Sequence, residues 1–509
     1  MASRTLNSKR NIIAGVAYRL IAILLPFINR TIIIRFLGAE YQGLGSLFSS
    51  ILEVLNLTEL GFSSAVVFCM YKMVAEADED SICALLSYFR RVYKVIGLII
   101  FGAGLCLIPF LQYLIKGSHP ADINIYILFL VYLSQTCISY FLFGYKSAIL
   151  SANQRLDITN KVQSVITVAL CLSQMLALII TRNFYVYAVL SPVFTVLNNL
   201  TVAYITDKQY PQYRCRGSIS EDMRLALRKQ ISGLMVNKIS NAIRNSSGSI
   251  IISALFGLTL VTAYGNYYYI MYAIYSFMLT IVFAMSAGVG NSIVVETQEK
   301  NYKDLTKFTF IFAWISTFCT VCLFCIFQPF MKIWVGEELM LSKANMALFC
   351  AYFYVLNINN SINLYFDGNG LWQKAKALYI SEAALNLVLN IVLGKLIGIS
   401  GILISAVLTI TVFSFLGRTR IIFNSYFTEY PAKDFYIAHL IYAAVTVVAC
   451  LATGFVAEHA VRLSGIPGVI LTGIICVVVS NLILFIAYMK LPAFKLSMSF
   501  VKSNILKRV

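Results

Sequence analysis

The chain has 509 residues, of which 59% are hydrophobic and 12% charged, with a mean hydropathy of +0.79. Soluble domains carry about 25% charged residues, so this composition excludes a soluble enzyme and places the chain in a membrane. The net charge of +18 comes from basic residues scattered over many short connections, which suits membrane topology and anionic lipid better than nucleic acid.

Apolar runs of about 20 residues, each long enough to cross about 30 Å of hydrocarbon, recur along the whole length. Fourteen spans are predicted, at 11–36, 44–71, 94–115, 123–150, 161–181, 184–206, 231–256, 261–295, 308–333, 344–370, 376–397, 400–423, 435–457 and 467–489. The fold class is therefore an all-α polytopic membrane protein. The basic start is read as part of the mature chain, because the first run is too long and too polar for a cleaved signal. With the N-terminus inside, most of the 40 Lys and Arg fall in inner segments, among them Lys72, Arg90, Arg155, Arg214, Arg216, Arg228 and Arg420. Both termini are expected in the cytoplasm.

The first span carries Arg19 and Arg30. A guanidinium at membrane depth costs roughly 2.5–3.5 kcal/mol even on lenient insertion scales, so such residues face a polar cavity or a partner. Eleven positions bring them to within about 20° on one helix face and about 16 Å apart along it. Glu53 and Glu59 in the second span are candidate counter-charges or ion ligands. Lys146 lies low enough in the fourth span to reach the interface. The seventh span brings Lys238, Arg244 and a stripe of Asn237, Asn241 and Asn245 at intervals of four. Four basic groups, Arg19, Arg30, Lys238 and Arg244, with Asn241 beside them, predict a site for an anionic substrate such as a phosphate or pyrophosphate.

The eighth span is rich in tyrosine (Tyr264, Tyr267, Tyr268, Tyr272, Tyr275) and the tenth in asparagine (Asn357, Asn359, Asn360, Asn363). Such groups suit a hydroxylated cargo or plain packing. Asp367, at the inner end of the tenth span, and Glu382, heading a stripe with Asn386 and Asn390 in the eleventh, are further candidates for Na⁺ or H⁺. No basic residue lies between Lys376 and Lys395 to neutralise Glu382 locally. Cys319, Cys322 and Cys325 are read as small packing residues, and no metal site, cofactor or catalytic constellation is expected. The three histidines, His119, His439 and His459, fall near span ends, and none is expected inside the membrane.

An internal repeat organises the chain. At an offset of 219 or 220, Arg19 falls on Lys238, Gly38 on Gly257, Glu76 on Glu296, Pro109-Phe110 on Pro329-Phe330 and Gln154-Arg155 on Gln373-Lys374. Six spans are even in number, so the copies are parallel repeats about an axis along the membrane normal. The expected division is an N-lobe at 1–207, a cytoplasmic linker at 208–229, a C-lobe at 230–430, and two extra spans with a tail at 431–509.

The opening span with its Arg, then Phe36-Leu37-Gly38-Ala39-Glu40-Tyr41-Gln42-Gly43-Leu44, Glu59-Leu60-Gly61-Phe62 and Tyr71-Lys72-Met73-Val74-Ala75-Glu76, resembles the polysaccharide-transporter family of oligosaccharide-lipid flippases. These are the Wzx-type members of the superfamily that also holds multidrug and toxin extruders and peptidoglycan-precursor flippases. The resemblance implies a monomeric, non-enzymatic protein of a bacterial cytoplasmic membrane. It would move a polyprenyl-(pyro)phosphate-linked oligosaccharide from the inner to the outer leaflet by alternating access, with Arg19, Arg30, Lys238 and Arg244 in a cationic lumen. The runner-up is a cation-coupled multidrug exporter of the same fold. It would need an acid in the first lobe's cavity, and the first span has none. A membrane-embedded glycan polymerase or acyltransferase would need a large outer loop or an intramembrane His.

Overall fold

The structure is a computed structural model that describes the backbone of residues 2–56, 62–117 and 119–501. The described chain is helical, and ten helices are long and apolar enough to cross a membrane, or eleven if a pair bent by 51° counts as one crossing. It is a multi-pass membrane protein. Helix occupies the described part of every predicted span; the fourth and tenth are interrupted, and the twelfth and fourteenth each contain a π-helical stretch. The spans that fall short are the second, fourth and tenth, which no single described helix covers, and the seventh, which lies in one unbroken helix (Glu221–Phe256) but is too polar. The chain divides into two compact units, Met1–Thr262 and Ala263–Val509.

The first unit contains α1 (Ala2–Phe36), α2 (Ala39–Leu55), α3 (Phe62–Glu76), α4 (Glu79–Leu107), α5 (Ile125–Phe141), α6 (Ser147–Ala152), α7 (Leu156–Thr181), α8 (Phe184–Gln209) and α9 (Glu221–Phe256). α1 lies along α7, α8 packs on α5 and α7, and α2 packs against α9. Leu44, Leu47, Phe48, Phe89, Phe129 and Leu133 centre its core. Two glycines related by the repeat offset share an unusual backbone. Gly38 (φ 116°) opens α2, and Gly257 (φ 90°) opens α10 (Leu258–Val295). Only glycine adopts such angles without strain, so an identical junction recurs at equivalent points of the two copies.

The second unit holds the rest of α10, α11 (Gln298–Val335), α12 (Lys343–Ile358), α13 (Asn360–Gly368), α14 (Lys376–Ile397), α15 (Ile399–Thr409), a π stretch at Ile410–Gly417, and α16 (Arg418–Ser425). Then follow α17 (Ala432–Ala460), α18 (Gly465–Ile475), a second π stretch at Cys476–Ser480, α19 (Asn481–Tyr488) and α20 (Pro492–Val501). α11 is the mast of this unit, packed by α12, α17, α18 and α20. Tyr264 and Tyr267 are buried against Phe349 at ring separations of 5.2 and 5.7 Å, so this part of the tyrosine-rich helix is core. Cys322 and Cys325 pack with Cys450 and Cys476 in an apolar cluster, and no metal-holding group of His, Cys, Asp or Glu occurs among the described residues. His439, in the second turn of the membrane-length helix α17, is buried among the rings of Phe415, Phe435 and Tyr442.

Candidate functional site

Helix α1 is fixed to its neighbours by polar contacts at both ends. Near the start, Asn11 donates to the Gln154 carbonyl at 3.0 Å and accepts from the Asp157 amide at 2.7 Å. Near the end, buried Asn29 donates to Gln174 Oε1 at 2.9 Å, and Gln174 donates on to Ser191 Oγ at 3.0 Å. One residue further is a turn of about 100°, which takes Arg30 off that seam. Its Nη2 donates to the Thr262 carbonyl at 3.3 Å, while Thr262 Oγ1 donates to the Ala39 carbonyl. Arg19 and Arg30 are half-buried on α1.

Lys238, Asn241 and Arg244 are half-buried on α9. The asparagine stripe bonds along its own helix rather than across to another. Asn241 Nδ2 donates to Asn237 Oδ1 at 2.9 Å, and Arg244 Nη2 donates to Asn241 Oδ1 at 2.7 Å. Asn241 thus aims the guanidinium of Arg244. The four cations and Asn241 all belong to the first unit. Lys146 is engaged elsewhere, in an ion pair with Asp207 and over the ring of Phe143.

Glu53 accepts from Ser246 Oγ at 2.8 Å, linking α2 to α9. Its carboxylate also lines a chamber of about 580 Å³ within the first unit, walled by α2, α3, α4, α5, α7 and α8. Glu59 lies outside the described residues. The chamber wall is mostly uncharged and polar, with Gln135, Gln163, Asn198 and Asn199 among hydroxyls and the rings of Tyr93, Tyr132 and Tyr140. The sequence shows these amides inside apolar runs, but their convergence on one chamber depends on packing.

In the second unit Glu382 is buried and accepts from Ser414 Oγ at 3.0 Å. Arg418 Nη2 donates to the same Ser414 oxygen at 3.1 Å, Arg418 Nη1 donates to Asn363 Oδ1 at 2.9 Å, and the guanidinium lies 5.0 Å from the Tyr379 ring centre. Glu382 is therefore one hydroxyl away from a buried arginine that spacing along its own helix could not reveal. Ser414 and Arg418, four positions apart on one helix face, both turn inward. Asn386 donates to Thr409 Oγ1 at 3.2 Å and receives from Asn390 at 3.0 Å, extending the polar seam. Asp367, at the end of α13, accepts from Trp372 Nε1 at 2.8 Å.

By sequence, no protein-family model and no curated relative matches the chain. By fold, it is similar to lipid II flippase MurJ in an inward closed conformation, at a TM-score of 0.69 and 13% identity over 94% of this chain and 99% of that one. It is also similar to a multidrug resistance MATE family transporter of the MOP superfamily in an inward-facing conformation (TM-score 0.59, 14% identity, 80% of this chain and 98% of that one). A eukaryotic MATE transporter, AtDTX14, matches at a TM-score of 0.59 and 11% identity, over 82% of this chain and 96% of the other. The chain has the MurJ and MATE fold.

Proposed function

We propose that this protein is a flippase for a polyprenyl-(pyro)phosphate-linked oligosaccharide. In this reading it moves the cargo from the cytoplasmic to the outer leaflet of a bacterial membrane for surface polysaccharide assembly. The observation that carries the reading is the set of half-buried cations on α1 and α9, with Asn241 holding Arg244 in a fixed direction. Arginine presents a planar fork to a phosphate, and an arginine aimed by a neighbour loses less freedom on binding. Similarity in fold to a lipid II flippase agrees with it, because that protein also handles a lipid-linked cargo by its name. Alternating access would expose the cations first to one side and then to the other. Glu382 is the foremost candidate for a coupling Na⁺ or H⁺, with Glu53 and Asp367 behind it.

One observation favours a second reading. The cation-coupled multidrug exporter needs an acid in the cavity of the first lobe, and Glu53 lines the chamber there. The two readings separate in proteoliposomes. A flippase translocates a fluorescent polyprenyl-pyrophosphate-linked oligosaccharide, and Arg19→Ala or Arg244→Ala abolishes the signal. An exporter moves a cationic dye, depends on Glu53, and ignores the arginines. In cells the flippase reading expects lipid-linked repeats to accumulate inside when the gene is deleted. Unpolymerised repeats outside would indicate a polymerase instead.

A further inference from the structure

The chamber of the first unit is built in a way that a packing defect is not. Its volume, about 580 Å³, falls within the range of about 300–1,000 Å³ of small-molecule sites. One wall is a break in a membrane helix. After α5 stops at Phe141 the chain bends by 51° before α6, and Phe143 adopts a left-handed backbone at φ 57°. Gly144 follows where a Cβ would sit 2.2 Å from the Ser139 carbonyl oxygen, so only glycine closes the turn. Phe143, Gly144 and Ser147 at this break line the chamber.

The surface chemistry then narrows the ligand. Among its described residues Glu53 is the one carboxylate, its rotamer set by Ser246. Gln135 and Gln163 line the chamber on facing helices, and Asn198 Oδ1 and Thr159 Oγ1 are buried there with no protein hydrogen-bond partner. A bare metal ion would be lost in this volume and would want several acids. Asn198 Nδ2, Asn199, Ser139, Tyr140 and Thr136 are already hydrogen-bonded within the protein, but an organic cation would still meet the carboxylate and leave the Gln135 and Gln163 amides unmatched. A pyranose satisfies them, with hydroxyls for the carboxylate and the two glutamine amides and an apolar ring face for Tyr132, which is partly exposed while Tyr93 and Tyr140 are packed in the core.

We propose that this chamber is a carbohydrate subsite that receives a neutral sugar of the cargo, with Glu53, Gln135, Gln163 and Asn198 as its hydroxyl-reading groups. The inference rests on the saccharide-bearing cargo argued above and assigns the sugar a place within the first unit.

Saturation-transfer NMR on the purified full chain in nanodiscs, offering glucose, galactose, mannose, N-acetylglucosamine and N-acetylgalactosamine, tests it. At least one pyranose should receive transfer to its ring protons. Gln135→Leu and Gln163→Leu should each weaken that binding about three- to tenfold, the usual effect of one lost hydrogen bond, at an unchanged melting temperature. Tetraphenylphosphonium binding with no sugar signal would overturn the proposal in favour of an organic-cation site, and no signal from either probe would overturn it outright. Transport of a polyprenyl-pyrophosphate-linked N-acetylhexosamine separates this failure from that of the function. A wild type that moves no lipid-linked saccharide ends the flippase reading. A wild type and a Gln135→Leu/Gln163→Leu variant that transport equally well end the chamber proposal alone.

Discussion

Arg19 and Arg418 illustrate two ways in which a membrane protein keeps an arginine. Arg19 is half-buried on a helix whose packing is also secured by Asn11 and Asn29. Arg19→Ala is expected to abolish export while membrane abundance stays near normal, as judged by quantitative immunoblotting. Arg19→Lys should restore part of the activity, supplying charge without the planar fork. An Arg19→Ala protein that fails to insert or is degraded would make the residue structural. Arg418 is the opposite case, buried and tied through Ser414 to Glu382. Removing one partner of a buried charged network costs about 3–5 kcal/mol, chiefly by stranding the other. Arg418→Leu should therefore lower the thermal midpoint strongly, and adding Glu382→Gln should recover much of the loss. Purely additive effects in that cycle would show that the two residues are not coupled. If Glu382 carries the coupling ion, Glu382→Gln should also erase the response of reconstituted transport to an imposed Na⁺ or H⁺ gradient.

At the scale of elements, hydropathy located the helices well because burial in lipid demands long apolar runs, and the span at 376–397 coincides with α14. It was blind to breaks. The spans at 123–150 and 344–370 read as continuous because Phe141 to Gly144 and Ile358 to Asn360 are interrupted by backbone geometry, not by a lapse in hydrophobicity. The π stretch at Ile410–Gly417 was equally invisible. The candidate site was legible where a charge stood against an apolar background, as at Arg19, Arg30, Lys238, Arg244 and Glu382. It was illegible where neutral amides from separate helices converge, as at Gln135, Gln163 and Asn198, since their meeting depends on packing. The break in the fourth span gives a direct test. Gly144→Ala forces a Cβ against the Ser139 carbonyl oxygen, whereas at Gly102 on α4 nothing lies within 4 Å. Gly144→Ala should lower stability by about 1–3 kcal/mol, the usual cost of forced overpacking, and reduce transport. Gly102→Ala should leave both near wild type in thermal-shift and flipping assays. Equal behaviour of the two would mean that the bend is not held by that contact.

Across the whole molecule, the repeat and the charge distribution make one joint statement about topology. The glycine junctions at Gly38 and Gly257 mark equivalent points of two copies, and parallel copies require an even number of crossings before the second begins. That count depends on the interrupted helices. If α2 with α3 makes one crossing and α5 with α6 makes another, six crossings precede the linker and it returns to the side of the N-terminus. If the bent α5 and α6 pair is instead a re-entrant loop, five crossings precede it and the linker lies on the opposite face. The linker carries Lys208, Arg214, Arg216, Arg224, Arg228 and Lys229, and a segment so basic is retained on the cytoplasmic side. The basic linker thus favours α5 and α6 as a crossing pair, an orientation that fusion reporters test. A green fluorescent protein fused after Lys208 should fluoresce, as should one fused after Val501, whereas alkaline phosphatase should be active when fused after His119 or Arg462. An active phosphatase after Lys208 would break the parity. It would remove the parallel repeat and with it the equivalence of Arg19 and Lys238 on which the shared cationic path is built.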